Sequence, residues 1–418
     1  MTERSISRHA REPKRIFIVA GEHSGDALGA KLMAEMNGPG HSLIIWQGVG
    51  GEHMEGEGLR SLFPLAEVAV MGPIAILKRL PKIIRRINEA AAAGVAMRPD
   101  VVVIIDSPEF THPIAQRIRR RLPDVPIIDY VSPSVWAWRP GRAKKMRRYV
   151  DHVLALLPFE EEAHAQLGGP KCTYVGHPLS ERLEWIHSRD GDDLARRLAL
   201  DPAKPVVVVL PGSRVSEVTR LMEPFGKTLA LVQQSVPGGI ETVLPAVPSV
   251  RPLIVAAAAR WDVPVRLIEG EDDKFAAFRL ATAALAASGT VTLELGLAGT
   301  PAVVAYKVDA IAAQLRFLLK VPSIVLANLV ADENVYPEFI QETATPANMA
   351  AALVPLLSDT DARRRQIAGL RKIATNVATG GRRPSAIAAE VVNDYAESRH
   401  MAEVRSEPRK SGPGGHSR

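Results

Sequence analysis

The 418-residue sequence contains one cysteine, Cys172, so no intramolecular disulfide can form. Such sparse use of thiols is typical of a reducing compartment, and it excludes zinc sites built from two or more cysteines. No run of about 20 apolar residues is free of charge and proline, so no membrane-spanning helix is predicted. The first fifteen residues are polar and charged, and they lack the apolar core of a secretory signal. We therefore expect a cytoplasmic protein.

Composition is that of an ordinary globular protein, with 46% hydrophobic and 23% charged residues. The length exceeds what one hydrophobic core usually supports, which predicts two domains. The net charge is +6 and the isoelectric point is near 9.4. This excess of positive charge is compatible with nucleic acid, an anionic membrane or phosphorylated substrates, and it does not choose among them.

Short apolar or β-branched segments alternate with longer amphipathic stretches, a pattern that predicts parallel sheets joined by helical crossovers. The predicted strands form two series: Arg15–Ala20, Ser42–Gln47, Val101–Ile105, Pro126–Tyr130 and His152–Leu157, then Val206–Leu210, Glu241–Ala246, Val265–Ile268, Thr282–Ala287 and Ala302–Tyr306. Two α/β domains follow from the two series. We place the first at residues 14–175, the second at 176–372, a C-terminal helix packing back on the first at 373–396, and disordered tails at 1–13 and 397–418.

Glycine-rich turns follow several predicted strands. After the first strand, Gly21-Glu22-His23-Ser24-Gly25 leads into a helix expected to begin near Asp26. Glycines let backbone N–H groups approach a ligand, and a helix N-terminus favours an anion. A tight turn without a ligand is the competing interpretation. The turn is neither a Walker A loop nor a G-x-G-x-x-G fingerprint.

Asp106 ends the strand Val101–Ile105, at the sheet edge where parallel α/β folds place ligands. A carboxylate there could accept a proton from an attacking hydroxyl. Capping of the following helix explains the residue equally well.

In the second series, Arg214 follows a strand and a Pro-Gly-Ser turn. Its guanidinium could bind a diphosphate, or it could simply pair with Glu217. Ser288-Gly289-Thr290 forms another strand-to-helix turn. With Thr290 as the N-cap, Glu294 lies just beyond the capping-box position, which leaves its carboxylate free to accept hydrogen bonds from a ribose. Dipole stabilisation of the helix is the simpler alternative.

Three further segments are unusual. In MGPIAILKRLPKIIRRI, apolar Leu77, Leu80, Ile84 and Ile87 recur at helical spacing beside Lys78, Arg79, Lys82, Arg85 and Arg86. Such a helix suits an anionic membrane surface or, equally, solvent. IAAQLRFLLKVPSIVLANLV could line an acyl-chain site or belong to the core. In RPGRAKKMRR, a solvated helix face is favoured over phosphate or membrane contact, and RNA comes third. Asp359-Thr360-Asp361 is better explained by helix capping than by a metal.

Taken in order, these segments identify a family resemblance. The chain resembles lipid-A-disaccharide synthase, an inverting glycosyltransferase of the GT-B fold, from about Arg15 to Tyr395. The resemblance rests on AGEHSGDALGA, GVGGEHME, IDSPEF, SPSVWAWRPGR, LPFE, YVGHPL, LPGSR, SGTVTLELGLAGTPAVVAYK and the segment from LANLV to PEFIQ. It implies an α/β fold of two Rossmann-like domains facing across a cleft.

The resemblance also implies a reaction. UDP-2,3-diacylglucosamine would condense with 2,3-diacylglucosamine 1-phosphate (lipid X) to a β-1′,6-linked disaccharide phosphate plus UDP, at the cytoplasmic face of the inner membrane. The enzyme would be peripheral, without metal or other cofactor, without a nucleic-acid partner, and in the family's habit a homodimer.

By the same resemblance, Asp106 is the candidate base. Donor binding falls to Arg214, Ser288, Gly289, Thr290, Glu294, Asn328, Glu338 and Gln341. The loop facing the acceptor comprises Gly21, Glu22, Ser24, Gly25 and Asp26, and the membrane-facing residues are Leu77, Leu80, Lys82, Ile84, Arg85 and Arg86. Two alternatives remain: another GT-B enzyme acting on UDP-N-acetylglucosamine (an epimerase or the peptidoglycan transferase), and a non-catalytic sugar-nucleotide binder.

Overall fold

A computed structural model describes residues 13–39, 43–69, 73–308 and 321–406. The chain divides into two compact units. The first comprises Met1–Pro178 together with Arg382–Arg418, and the second comprises Leu179–Gly381. The first boundary falls three residues after the predicted one, and the chain returns to the first unit nine residues later than predicted.

Within the described residues, the first unit is built on one seven-stranded parallel sheet with the order β3-β2-β1-β4-β5-β6-β7. Its strands are β1 (Lys14–Ala20), β2 (Ile44–Val49), β3 (Arg60–Ser61), β4 (Val101–Ile105), β5 (Ile127–Tyr130), β6 (His152–Ala155) and β7 (Lys171–Tyr174). Its helices are α1 (His23–Met36), α2 (Glu52–Gly56), α3 (Pro73–Met97), α4 (Pro108–Arg121), α5 (Gly141–Met146) and α6 (Glu160–Gln166), with a 3₁₀ turn at Leu65–Glu67.

The first unit has a core on each face of its sheet, because β4 and the part of β1 from Ile16 to Ala20 are fully buried and alternate residues point to opposite faces. Phe17 and Val102 pack on one face with α3 and α4. Ile16 and Val103 pack on the other with α1. In register, Ala20 pairs with Ile105. The loops that follow these two strands therefore leave the sheet side by side.

The second unit repeats the plan on a six-stranded parallel sheet with the order β10-β9-β8-β11-β12-β13 among its described residues. Its strands are β8 (Val206–Leu210), β9 (Glu241–Pro245), β10 (Arg266–Ile268), β11 (Ala283–Ala287), β12 (Ala302–Tyr306) and β13 (Glu338–Ile340). Its helices are α7 (Leu183–His187), α8 (Gly191–Arg197), α9 (Val215–Ser235), α10 (Arg251–Ala258), α11 (Glu271–Leu280), α12 (Val291–Ala298), α13 (Leu326–Ala331), α14 (Pro346–Leu353) and α15 (Asp361–Asn376), with 3₁₀ turns at Pro178–Arg182, Gln341–Thr343 and Val354–Leu357.

The C-terminal region differs from the prediction of one helix at 373–396 followed by a disordered tail. Residues 373–376 end α15, which packs on α12 and α13 in the second unit. Gly380 and Gly381, both at positive φ, then carry the chain into α16 (Pro384–Ser406). Since α16 continues to Ser406, residues 397–406 are helical and not a disordered tail.

Helix α16 does pack on the first unit, chiefly against α1. The Lys14 ammonium donates to Asn393 Oδ1 at 2.6 Å and to Glu397 Oε1 at 2.8 Å. Ala388 and Val392 of α16 are buried in the core of Ile16 and Val103. The last helix is thus an integral layer of the first unit. Among the described residues, no helix is both long enough and apolar enough to cross a membrane.

Candidate active site

A cavity of about 610 Å³ lies in the second unit, at the carboxyl ends of β8, β9, β10 and β11. Four consecutive strands of the sheet order thus contribute their loops to one site, which is the usual place for a ligand in a parallel α/β fold. Predicted donor-binding residues in its lining are Arg214, Ser288, Gly289, Thr290 and Glu294.

The turn between β11 and α12 forms one wall of this cavity. A Cβ atom built on Gly289 would meet nothing within 4 Å, so a ligand could approach the backbone there. Ser288 Oγ donates to the carbonyl of Ile324 at 2.7 Å and so anchors the turn. Thr290 occupies the N-cap position of α12, but its side chain makes no capping hydrogen bond. The first N–H groups of α12 therefore receive no cap from that side chain, which leaves a suitable place for an anion.

Glu294, one turn into α12, is not the unpaired carboxylate that the sequence suggested. Lys274 Nζ of α11 lies 3.2 Å from Oε1 and 3.1 Å from Oε2. Both side chains line the cavity and are mostly buried. The ion pair fixes the carboxylate, which retains acceptor capacity for a diol, and it adds an ammonium group to the wall.

Arg214 adopts the pairing that the sequence offered as the simpler alternative, and it also lines the cavity. Its Nη1 donates to Glu217 Oε1 at 2.8 Å, while Glu217 Oε2 accepts from the backbone N–H groups of Ser213 at 3.1 Å and Arg214 at 3.3 Å. Glu217 therefore occupies the N-terminus of α9. The guanidinium side chain is 63% exposed and has further N–H donors for a phosphate.

The remaining three predicted donor residues are absent from the lining of this cavity. Asn328 is buried, and its amide bonds to Ser323, Asn334 and Tyr336. Glu338 Oε2 accepts from Ser323 Oγ and from the Ile324 N–H, both at 3.1 Å. Gln341 bonds to the backbone of Val308.

These three side chains hold the segment around Ser323 and Ile324, against which Ser288 is anchored. Their contact with a donor remains a prediction. Residues 309–320, which include the whole first half of IAAQLRFLLKVPSIVLANLV, lie outside the described residues.

Several residues of the cavity were not predicted from the sequence, among them Lys274, Glu269 and Gly270. All three follow β10, a strand of three residues, and Gly270 turns the chain at φ 85° into α11. The sequence signal that could have indicated them is Gly270-Glu271-Asp272-Asp273, which follows a predicted strand and begins a helix. It places a loop at the same sheet edge as Gly289, although it does not show which side chain faces inward.

In the first unit, Asp106 follows β4 with an unusual backbone. Asp106 and Ser107 adopt left-handed φ angles of 50° and 45°, which cost non-glycine residues on the order of 1 kcal/mol each. The Asp106 N–H donates to the Tyr130 carbonyl at 3.0 Å, and its carbonyl accepts from Thr111 Oγ1 at 2.7 Å. The N-cap of α4 is Ser107, so Asp106 does not cap this helix. Strain held in this way is characteristic of functional residues.

The carboxyl group of Asp106 is poised for proton transfer near neutral pH. Burial, followed by the negative charge of Glu22, raises the pKa of Asp106 to about 6, against a lowering effect of the hydrogen bond from the Ser107 N–H. A carboxylate with such a pKa is ionised at pH 7 and is still basic enough to take up a proton in a reaction.

The loop after β1 brings Glu22 to this carboxyl group. A Cβ on Gly21 would lie 2.4 Å from the Cβ of Ser107, so only glycine permits the close approach of the two loops. A Cβ on Gly25 would meet Ala20 and Ile105 at the ordinary distance of 3.4 Å. Ser24 Oγ donates to Glu22 Oε1 at 2.6 Å. The predicted loop thus lies beside Asp106, although α1 begins at His23 and not near Asp26.

Asp26 differs from its expected role in the acceptor-facing loop. Its side chain is 1% exposed, and it accepts hydrogen bonds from the backbone N–H groups of Gly51, His53 and Met54 at 2.7–3.1 Å. Burial raises the pKa of Asp26, but these hydrogen bonds and one from the His53 ring outweigh it, so that the pKa lies below its usual value. Asp26 anchors α2 to α1. The turn Gly50-Gly51 serves this contact.

The predicted membrane-facing residues separate into two groups. Leu80 and Ile84 on α3 are 41% and 44% exposed, and Arg85 is exposed beside them. Arg86 instead pairs with Glu67 at 2.6 Å and Glu89 at 2.6 Å, and Lys82 lies 3.3 Å from Glu67.

The other two apolar members of the predicted stripe are Ile87 and Leu77. Ile87 is buried in the core, and the side chain of Leu77 lies outside the described part of α3. Helix α3 contains Pro81 and continues through it to Met97.

The segment Asp359-Thr360-Asp361 caps a helix, as predicted. Thr360 Oγ1 accepts from the Arg363 N–H at the start of α15, and Asp359 and Asp361 both pair with Arg364 at 2.7 Å.

Solved structures match the chain over most of its length at low identity. UDP-GlcNAc 2-epimerase from Neisseria meningitidis matches with a TM-score of 0.60 at 13% identity, covering 91% of this chain and 100% of the other. MurG from Acinetobacter baumannii matches with a TM-score of 0.56 at 14% identity, covering 91% and 100%. The fold is therefore the GT-B type, with two parallel-sheet α/β units.

Closer relatives define the family. The model of lipid-A-disaccharide synthetase matches residues 16–392. Lipid-A-disaccharide synthases of Nitrobacter winogradskyi and Rhodopseudomonas palustris (strain BisB18) are 52% identical over 384 residues and 49% over 390, covering 92% and 93% of this chain and 96% of each relative. The chain belongs to the lipid-A-disaccharide synthetase family and is a glycosyltransferase of lipid A biosynthesis, which confirms the resemblance found in the sequence.

Proposed function

We propose that the chain transfers 2,3-diacylglucosamine from UDP to the 6-hydroxyl of 2,3-diacylglucosamine 1-phosphate, with inversion at the anomeric carbon. The products are the β-1′,6-linked disaccharide 1-phosphate and UDP. The observation that carries the mechanism is Asp106, a strained and largely buried carboxylate whose pKa is raised to about 6. A protein that only bound a sugar nucleotide would have no use for such a base.

In the proposed reaction, Asp106 takes the proton of the acceptor 6-hydroxyl as that oxygen attacks the anomeric carbon of the donor. The bond from this carbon to the β-phosphate breaks, and its electron pair leaves with UDP. The proton is later released from Asp106 to solvent. A base matched to the operating pH contributes on the order of 10²–10⁴ in rate.

For the donor, we propose that the diphosphate binds at the N-terminus of α12, between Gly289 and Arg214. Support comes from the N-cap Thr290, which makes no capping bond, while Glu217 already occupies the N-terminus of α9. The carboxylate of Glu294, fixed by Lys274, would accept hydrogen bonds from the ribose diol. Cationic and backbone donors of this kind stabilise the leaving diphosphate, so we propose that no metal is required.

We further propose that the enzyme works as a peripheral protein at the cytoplasmic face of the inner membrane, as a homodimer. Support for the membrane contact comes from Leu80 and Ile84, which are exposed beside Arg85 on α3. The dimer rests on the family resemblance alone, and sedimentation at several protein concentrations would test it.

The decisive experiment incubates the protein with both acylated substrates and follows UDP release together with the disaccharide product. UDP release that requires the acceptor, survives EDTA and is lost in Asp106→Asn is expected. Absence of acceptor-dependent release would refute the proposal, and inhibition by EDTA would refute metal independence. Turnover of UDP-N-acetylglucosamine without acceptor would instead identify an epimerase.

A further inference from the structure

A second cavity, of about 490 Å³, lies in the first unit between α4 and α5. The reaction steps proposed above leave it without a role. It begins at Pro108 and Glu109, two and three residues after Asp106, and it extends to three cationic side chains of the segment RPGRAKKMRR: Arg139, Arg142 and Lys145.

Its charge is unbalanced in favour of an anion. Glu109 is the carboxylate in the lining, with a side chain that is 78% exposed. Arg142 donates to Glu109 Oε1 at 2.6 Å, and Arg139 lies 3.9 Å from the same oxygen. Ion pairs of such exposed carboxylates contribute little, so a phosphate bearing up to two charges can compete for both guanidinium groups.

The floor of the cavity is polar and fixed. Tyr149 OH lies 3.0 Å from His112 Nδ1, and His112 Nε2 lies 3.1 Å from Asp129 Oδ2. All three residues are at least nine-tenths buried. Burial raises the pKa of Tyr149, which keeps its phenol protonated at neutral pH. The fixed polar floor and the three cationic side chains together form a preorganised anion-binding site.

The rim carries an exposed aromatic side chain and a strained cation. Trp138 is 41% exposed, and the Arg139 guanidinium lies 4.2 Å from the centre of its ring. Arg139 itself adopts a left-handed φ of 52°. The stacking holds one cation over the opening, and held strain of this kind is typical of ligand-binding residues.

We propose that this basic pocket binds the phosphate monoester of the acceptor sugar. The inference rests on the proposed function, in which the acceptor carries its attacking hydroxyl and its phosphate at opposite ends of one sugar ring. The Cα atoms of Asp106 and Pro108 can be at most about 7.6 Å apart, since each peptide spans 3.8 Å. The end of the pocket that Pro108 lines therefore begins close to the base, at a backbone separation comparable with the span of about one sugar ring. A phospholipid headgroup offers the same phosphate chemistry, and the experiment separates the two sources.

The principal variant combines Arg139→Asn with Lys145→Ala. Asparagine tolerates the left-handed backbone, and both side chains are exposed, so the fold should be retained. Lys144→Ala with Arg147→Ala, on the same segment but outside the lining, is the matched control. Glu109→Gln is the opposite test, because it releases both arginines from their carboxylate.

The measured quantity is KM for the acceptor with its phosphate and for the same lipid without it. The principal variant should raise KM for the phosphorylated acceptor about 10- to 100-fold, as expected for lost charged hydrogen bonds. It should change KM for the dephosphorylated acceptor by less than about twofold, and the control should change neither. Glu109→Gln should lower KM for the phosphorylated acceptor. UDP affinity should stay constant in all four proteins.

Three outcomes would overturn the inference. Equal losses on both acceptors would assign the cations to structure, and unchanged KM values would leave the pocket without the acceptor phosphate. Reduced binding to phosphatidylglycerol vesicles with an unchanged acceptor KM would assign the pocket to a lipid headgroup. If the wild-type protein turns over neither lipid, the proposed function fails. The pocket can then be tested alone by using NMR to measure the binding of glucosamine 1-phosphate to the wild type and to the principal variant. Equal or absent binding would then refute it.

Discussion

Asp106→Asn should stabilise the first unit while it lowers turnover by about 10²- to 10⁴-fold. The pKa of Asp106 is raised from 3.8 to about 6 in the folded protein. At 1.36 kcal/mol per unit, ionising this group at pH values well above 6 costs the fold about 3 kcal/mol. Asparagine removes the charge, retains an oxygen for the Ser107 N–H and tolerates the left-handed φ of 50°.

The pH dependence gives this prediction its sign. Between pH 3.8 and about 6 the folded state binds more protons at Asp106 than the unfolded state does, so the contribution of this group to stability falls as pH rises. The free-energy difference between Asp106→Asn and wild type should therefore be near zero below pH 4. It should grow through pH 5–6 and level off near 3 kcal/mol above pH 7.

Hydrogen exchange of the β4 amides, at Val101–Ile105, provides a readout specific to the first unit, which global unfolding of a two-unit protein would blur. Asp124→Asn, at an exposed aspartate of the same unit, is the matched control for the loss of one carboxylate. Equal protection of wild type and Asp106→Asn at pH 8 would refute both the raised pKa and the reasoning built on it.

Three further predictions follow from the described side chains. The acid limb of the pH profile of kcat/KM should have its midpoint near pH 6. Glu22→Gln should move this midpoint to lower pH, because it removes a negative charge that raises the pKa of Asp106. An unmoved midpoint would contradict the influence of Glu22 on Asp106. Arg214→Ala should weaken UDP binding about 10- to 100-fold by calorimetry, whereas Arg220→Ala, outside the cavity, should not. Leu80→Ser with Ile84→Ser should reduce sedimentation with anionic vesicles; Leu231→Ser, at 39% exposure on α9, is the control, and equal effects would remove α3 from the membrane contact.

The strands that the sequence predicted are those with continuous apolar runs, and all ten are present in the two sheets. The missed strands β3, β7 and β13 stand at sheet edges. Each is short and carries polar residues, as in Arg60–Ser61 and Lys171–Tyr174. An edge strand is covered on fewer sides and needs no apolar run, so periodicity reveals it only where apolar residues remain, as in the edge strand β10.

The candidate site could be predicted as far as its loops, because the carboxyl ends of parallel strands meet at one edge. Side-chain partners could not, since they depend on distances across the fold. The ion pair of Lys274 with Glu294 spans 20 positions, and the neighbouring loops of Gly21 and Ser107 are 86 positions apart in sequence. Asn328 shows that a residue of a family motif can have a structural role, because its side-chain amide hydrogen-bonds to Asn334 and Tyr336 inside the second unit.

Asp26 allows the two kinds of motif residue to be separated by experiment. Its carboxylate accepts three backbone hydrogen bonds at the start of α2, so Asp26→Asn replaces an acceptor oxygen by a donor facing the His53 N–H or the Gly51 N–H. We expect a loss of about 1–3 kcal/mol in stability, with KM for the acceptor unchanged in the molecules that remain folded. Because the pKa of Asp26 is lowered in the fold, the lost stability is present in the wild type above the usual carboxyl pKa and disappears as pH falls. Denaturation at pH 7 and pH 3, alongside acceptor kinetics, measures both. A raised KM for the acceptor with undiminished stability would indicate that Asp26 contacts the acceptor and would contradict the structural role assigned to its buried hydrogen bonds.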